Sequence, residues 1–275
     1  MPSSLHYYNF SPDVTAFTTT RHGGFSVGNY ASLNINPHRG DDPLAVEKNL
    51  NVVANELGVP SERFVRQHQI HETNFRLIKE DCFKLTNEQR EEWLEGIDGV
   101  ATNLTGTCVG AFTADCIPVI FYDPIHRAIA AAHAGWRGTV KRIARKMVDF
   151  LWNNFNSCPD DILALIGPGI TLKNFEVGQE VYDAFSNAGF DMDAIARKFP
   201  TMNPQPDSQA EKWHIDLPEC NRLQLINSGL RAENITLSGI DTYDNTDDYF
   251  SARRLKVGFG TMFTGLFIQI GRAHV

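Results

Sequence analysis

The chain lacks a Cys-x-x-Cys pair, and its five cysteines (Cys82, Cys108, Cys116, Cys158 and Cys220) are odd in number and widely spaced. That excludes a disulfide framework of the secreted kind and fits a reducing compartment. Apolar runs stop short of the roughly 20 residues a membrane span needs, and the opening MPSSLHYYNF has neither a basic nor an apolar segment. We therefore expect a cytoplasmic protein that does not engage a membrane. Positive charge is also scarce, with 25 Lys and Arg against 33 Asp and Glu, a net charge of −8. A broad basic surface for nucleic acid is excluded, and an anionic substrate would need local arginines. Neither GxGxxG nor GxxxxGK[ST] occurs, so Gly23-Gly24 and Gly167-Pro168-Gly169 read as tight turns. Repeats, low-complexity tracts and long linkers are missing too, which leaves one continuous domain over residues 1–275.

What is present is the material of an ordinary globular protein, 42% hydrophobic and 11% aromatic. Asp42-Pro43 caps a helix whose Val46, Leu50, Val53 and Leu57 follow a 3.6-residue period until Gly58 stops it. A second helix is expected to open at Thr139, with Ile143, Met147 and Leu151 on its apolar stripe and Lys141, Arg142, Arg145 and Lys146 on a wet face. Further helices are expected over 177–188 and 218–228, the latter capped by Asp216. Short β-branched or apolar segments at 108–113, 117–122, 128–132, 162–166, 235–237 and 263–270 read as strands. Several follow each other across a tight turn such as Asp123-Pro124, which argues against strict βαβ winding. The fold class expected is α/β, with mixed sheets flanked by helices. The terminal GRAHV reads as a tail, and no function is attached to His274.

Chemistry concentrates in Thr113–Pro124 (TADCIPVIFYDP) and His133–Gly138 (HAGWRG). Cys116 sits at a break between two apolar strands, and His133 ends a small-residue strand 17 positions later, a separation that suits a hairpin. A Cys and a His facing each other at a sheet rim have two uses. The Cys is a nucleophile with the His as base, or both are ligands for a divalent metal. Upstream, His68 and His71 lie three apart, so on an extended segment at most one faces a given pocket. A third ligand is thus at hand, and three protein ligands with an open position are the arrangement of a catalytic zinc site.

These segments, together with TTRHGGFSVGNYASLNI at 19–35, QIH at 69–71, DGVATN at 98–103, IGPGI at 166–170 and YFSARR at 249–254, resemble the YfiH family. This laccase-domain, or multicopper-polyphenol-oxidase-like, family includes a YlmD branch that this chain resembles in particular. The resemblance spans roughly residues 15–270 and implies a mixed α/β domain holding one metal ion, taken as zinc, through His71, Cys116 and His133. Copper suits the same donors. It also implies action on purine nucleosides: phosphorolysis of adenosine, inosine, guanosine and methylthioadenosine, and adenosine deamination. Laccase chemistry fits the sequence poorly, because a multicopper centre needs about ten histidines in HxH or HCH pairs. This chain has nine, and no HxH.

The expected enzyme is therefore a zinc-dependent purine nucleoside phosphorylase with adenosine deaminase activity, using nucleosides and inorganic phosphate. Asp115, beside Cys116, is either a proton-transfer group or a support for the turn. Arg21, Arg137, Arg253 and Arg254 are the arginines that lie in matching motifs and are available to phosphate or nucleoside. Trp136 either stacks on a purine or anchors its turn, and Asn34 either touches substrate or closes a turn beside Pro37. Similar sequences carry a CTY element where this chain has Asp241-Thr242-Tyr243, and an SGR turn where it has Val257–Thr261. The absent arginine near 260 puts phosphate binding in question. Two other readings stay open: a metal-free cysteine hydrolase or deamidase using Cys116 and His133, and a nucleoside-binding protein whose catalysis has decayed.

Overall fold

A computed structural model describes residues 3–202 and 210–269. Its strands are β1 (Leu5–Ser11), β2 (Val14–Thr19), β3 (Phe75–Leu77), β4 (Gly99–Thr102), β5 (Val109–Thr113), β6 (Ile117–Asp123), β7 (Ala128–Ala134), β8 (Leu163–Ile166), β9 (Glu176–Val177), β10 (Ala196–Pro200), β11 (Glu211–Ile215), β12 (Ile235–Leu237) and β13 (Met262–Ile268). The helices are α1 (Pro43–Leu57), α2 (Asn87–Trp93), α3 (Trp136–Val140), α4 (Ile143–Phe155), α5 (Gln179–Asn187), α6 (Met192–Ile195), α7 (Leu217–Asn227) and α8 (Ala252–Leu255). None of the described helices is long and apolar enough to cross a membrane.

Alternation along the central strands sets the layers. In β6, Ile117, Val119 and Phe121 join one core and Ile120 and Tyr122 the other, as the two-residue period of a strand requires. The sheet they belong to is mixed and six-stranded, in the order β12-β8-β6-β7-β4-β3, with parallel pairs only at its two ends. On one face it packs against Ile143, Met147 and Leu151 of α4 and Leu217 and Leu225 of α7. Ala128, Ala130 and Ala132 of β7 belong to that core, and their small side chains leave room for α4 to lie close. The other face meets an antiparallel sheet, β1-β2-β13-β5, through Val14, Ala16, Val109 and Leu266. Beyond it, Phe17, Phe263 and Phe267 face Leu50 and Val53 of α1. The mixed α/β class with helix-flanked sheets holds.

The β6–β7 hairpin places the chemistry. The Asp123 carboxylate closes its turn by accepting from the N–H of Ile125 (2.8 Å) and His126 (3.2 Å). The register sets Ile117 opposite Ala134 and Pro118 opposite His133. Cys116, immediately before β6, is thereby held across from the end of β7.

α1 is capped as expected, with Asp42 accepting from Leu44 N–H at 3.0 Å and Gly58 ending it at φ +66°. The helix expected from Thr139 is instead two. Arg142 takes a left-handed φ of +64° between α3 and α4, its guanidinium donating to Ala188 O at 2.8 Å over the Phe190 ring. Thr139 lies inside α3, buried and bonded to Asn221 and Gln224 of α7. Val177 belongs to β9, paired with Trp213, so α5 starts only at Gln179. The third sheet, β10-β11-β9, and the β1–β2 hairpin are not among the expected elements. Ile270 and the GRAHV tail lie outside the described residues.

Because Phe121 is fully buried between β6 and the helices, Phe121→Ala is expected to cost about 3–5 kcal/mol of stability. Urea unfolding measures this, and a loss below about 1 kcal/mol would contradict the assignment of that face as core.

Candidate metal centre and its cavity

His71, Cys116 and His133, far apart in sequence, bring their donor atoms within 4.8 Å of one another. Cys116 Sγ lies 3.8 Å from His71 Nε2, and the two imidazole rings are 4.7 Å apart and nearly perpendicular. Thiolate and imidazole are the donors zinc prefers, and bonds of about 2.0–2.3 Å at tetrahedral angles place neighbouring donors about 3.5 Å apart. Spacing and donor chemistry therefore both fit one ion. Gly135 supplies an independent indication: a Cβ there would stand 2.9 Å from the His71 ring, 3.0 Å from Cys116 Sγ and 3.7 Å from His133 Nε2. The space among the three donors is kept open by the missing side chain.

One buried carboxylate organises the triad. Asp98, fully buried just before β4, accepts from three successive backbone N–H groups, those of Ile70 (3.2 Å), His71 (3.0 Å) and Glu72 (2.8 Å). His71 is held in this way at a left-handed φ of +65°, where a non-glycine residue needs such support. The same carboxylate accepts from His133 Nδ1 at 2.8 Å, and Asp98 O accepts from His133 N–H. A carboxylate only accepts, so Nδ1 carries a proton and Nε2 is the ring nitrogen that faces Cys116. Burial pushes the Asp98 carboxyl up, but His133 and the backbone donors outweigh it and hold the pKa below the usual range. Burial also opposes charge on Cys116 and His133, yet each favours the charged form of the other. The thiol is brought down to about 6 and the imidazole up to about 9.

The triad lies on a cavity of about 170 Å³ whose walls include Asn36, Arg39, Gln67, Phe112, Thr113 and Thr261. No Asp or Glu is among its described lining residues. His68 lines it as well as His71, contrary to the extended-segment expectation, because the chain turns at His71. His68 bonds Glu95 at 2.8 Å and stacks on His38, leaving His71 as the ligand-cluster member.

The other residues singled out from sequence lie elsewhere. Asp115, at φ +80°, accepts from Thr242 Oγ1 and from Arg253 N–H, both at 2.7 Å, and does not line the cavity. Burial pushes its carboxyl pKa up, and its bonds hold the Cys116 turn against the 242–253 segment. Asn34 is fully buried and does not line the cavity: its Oδ1 accepts from Thr261 N–H and its Nδ2 donates to Asp41. Arg21 donates to Ala31 O and Thr246 O, and Arg254 to Tyr243 O. Arg253 donates to Glu176 O, and Arg137 lies over the Trp136 ring. Trp136 packs on the helix-side core. None of these five lines the cavity. Asp241 accepts from Asn174 Nδ2 and Thr171 N–H, fastening the loop after β8. Asp98, which orders the cluster, and Gln67 and Arg39, which line the cavity, are the candidate residues that sequence reasoning missed. Asp98 stood inside the DGVATN segment, but nothing in an isolated Asp or Arg signals which buried donors or cavity it will meet.

Asp98→Asn puts an NH2 where only an acceptor serves, so zinc affinity is expected to fall about 10–100-fold. Competition with a chromophoric chelator measures it, and an unchanged affinity would contradict the role assigned to Asp98.

Residues 15–269 match the profile of the family described as multi-copper polyphenol oxidoreductase laccase. A purine nucleoside phosphorylase of Bacteroides thetaiotaomicron is 41% identical over 257 residues, 94% of this chain and 92% of that protein. Adenosine deaminase RL5, from an unknown prokaryotic organism, is 36% identical over 92% of this chain and 94% of its own length. Among solved structures, Bacillus licheniformis YfiH superposes with a TM-score of 0.85 at 28% identity, covering 98% of this chain and 97% of that one. YlmD from Geobacillus stearothermophilus gives 0.82 at 30% identity, with 98% of each chain covered. With a profile match over nearly its whole length and relatives of this likeness, the chain belongs to the YfiH/YlmD laccase-domain family.

Proposed function

We propose that the protein is a zinc-dependent purine nucleoside phosphorylase that also deaminates adenosine. The observation that carries the reading is the His71–Cys116–His133 cluster on the wall of a cavity with no carboxylate among its described lining residues. The names of the relatives support the substrate class: a purine nucleoside phosphorylase and an adenosine deaminase both align over more than nine-tenths of this chain. His71, Cys116 and His133 would hold the ion, which when bound supplies Lewis acidity at an open position.

The chain's own residues account for binding and orientation. Gln67 is buried and donates through Nε2 to Gly110 O at 2.8 Å, which fixes its amide and leaves Oε1 without a partner among the described residues. Thr113 Oγ1, also on the cavity, is unpartnered in the same sense. Buried polar atoms left unpaired cost free energy, so a ligand that supplies donors, such as a purine 6-amino group or N1–H, is favoured over one that does not. Phe112 offers an apolar wall. In phosphorolysis a phosphate oxygen bonds C1′ as the C1′–N9 bond breaks. The electron pair leaves with the purine, which gains the proton phosphate loses, giving ribose 1-phosphate and free base. In deamination, water's oxygen replaces the 6-amino group and ammonia departs.

A metal-free cysteine hydrolase would use Cys116, His133 and Asp98 as nucleophile, base and orienting group. It gives no task to His71, whose left-handed backbone is held at the thiol by the Asp98 carboxylate. A use for every donor in the cluster favours the metal reading.

Zinc-quantified protein incubated with adenosine, with and without phosphate, is expected to form adenine only with phosphate and inosine in either case. Cys116→Ala should lose both products together with the zinc. Full turnover by a folded Cys116→Ala protein would overturn the proposal. Nucleoside binding without turnover by fully zinc-loaded protein would favour the decayed binding protein.

A further inference from the structure

We propose that Arg39 is the anchor for inorganic phosphate in this cavity, an assignment that rests on the phosphorylase reading above. The cavity is unusual for so acidic a chain: 33 Asp and Glu stand against 25 Lys and Arg, yet no carboxylate is among the described residues that line it. Among the described residues its walls carry Arg39 and four histidines, and Arg39 is the one Arg or Lys. Of the arginines that the sequence motifs offered, Arg21, Arg253 and Arg254 spend their guanidinium groups on backbone carbonyls and Arg137 lies over the Trp136 ring, all away from the cavity wall.

Arg39 differs from all four in lying on the cavity wall. Its side chain has no ion pair or hydrogen bond among the described residues, and its Cζ lies 4.3 Å over the Phe259 ring. Stacking engages the face of the guanidinium and leaves its in-plane N–H donors for an oxyanion, the geometry in which arginine takes phosphate in a fork. The backbone beneath is fixed. Tyr30 Oη donates to Arg39 O at 2.9 Å, and the Phe259 loop is fastened by Asn29 Nδ2 to Val257 O at 3.1 Å and by Gly260 N–H to Asn29 O at 3.2 Å. Thr261, which ends that loop on the cavity wall, donates its N–H to Asn34 Oδ1. The buried Asn34 thus helps hold the loop on which Arg39 rests. Phosphate at Arg39 enters the same cavity as the nucleoside, as attack on C1′ requires.

Nucleoside 5′-monophosphates carry a similar oxyanion, and the test separates the two sources. Wild type, Arg39→Ala and Arg39→Lys are assayed for the KM of phosphate and of nucleoside, and titrated calorimetrically with inorganic phosphate and, separately, AMP. Arg39 is exposed, so the variants should keep wild-type thermal stability and zinc content. The expected result is a phosphate KM raised about tenfold or more in Arg39→Ala, a nucleoside KM within about twofold, weakened phosphate binding and partial recovery in Arg39→Lys. An Arg39→Ala protein with wild-type phosphate binding and KM would overturn the proposal. So would AMP binding that is tighter than phosphate binding and lost in Arg39→Ala. A wild type that yields no phosphorolysis product contradicts the phosphorylase reading. Its phosphate titration still decides Arg39, since Arg39-dependent binding supports the subsite and no binding overturns it.

Discussion

The Asp98 carboxylate is the constraint on which the site depends. It is buried with four donors converging on it, three from the 70–72 backbone and one from His133. Each of those groups would be costly to bury alone. Together they settle the left-handed turn that aims His71, the ring orientation that turns His133 Nε2 to Cys116, and the negative charge that faces the His133 imidazole. Two of the site's three donor segments are thus referred to one carboxylate just before β4, and a shift of either breaks its bonds to that group.

The fold delivers the third donor of the cluster by a separate route. Cys116 depends on the β6–β7 register, on the Asp123-closed turn and on Asp115, whose carboxylate ties the segment before β6 to the 242–253 region. The layers make this placement rigid: β6 and β7 are fully buried on both faces, between α4 and α7 on one side and the antiparallel sheet on the other. A hairpin packed on two faces has little freedom to slip, because a one-residue slip would exchange its two side-chain sets. The rim beyond its ends is where the chain leaves regular structure and where a cavity opens.

Much of this was legible in the sequence where local chemistry speaks for itself. The Asp42 cap and Gly58 stop of α1, the Asp216 cap of α7 and the β6–β7 hairpin follow from residue type and period. The three donors were legible from their spacing only as candidates, and the family motifs singled them out. What escaped notice depends on contacts between distant segments. The break at Arg142 answers to Phe190 and Ala188, and the roles of Asp115, Arg21 and Asn34 answer to partners over a hundred positions away or to a buried loop. Arg39 is the converse case. A plain residue between His38 and Gly40 in sequence, it becomes a cavity cation only because Phe259 is brought beneath it.

The central claim is that Asp98 presents two imidazoles to a single ion beside the thiolate that the β6–β7 hairpin places, and X-ray absorption at the zinc edge of the loaded protein tests it most directly. The account predicts a first shell with one sulfur at about 2.3 Å and two imidazole nitrogens at about 2.0–2.1 Å. A shell without sulfur, or a fully folded protein that retains no stoichiometric zinc, would contradict it.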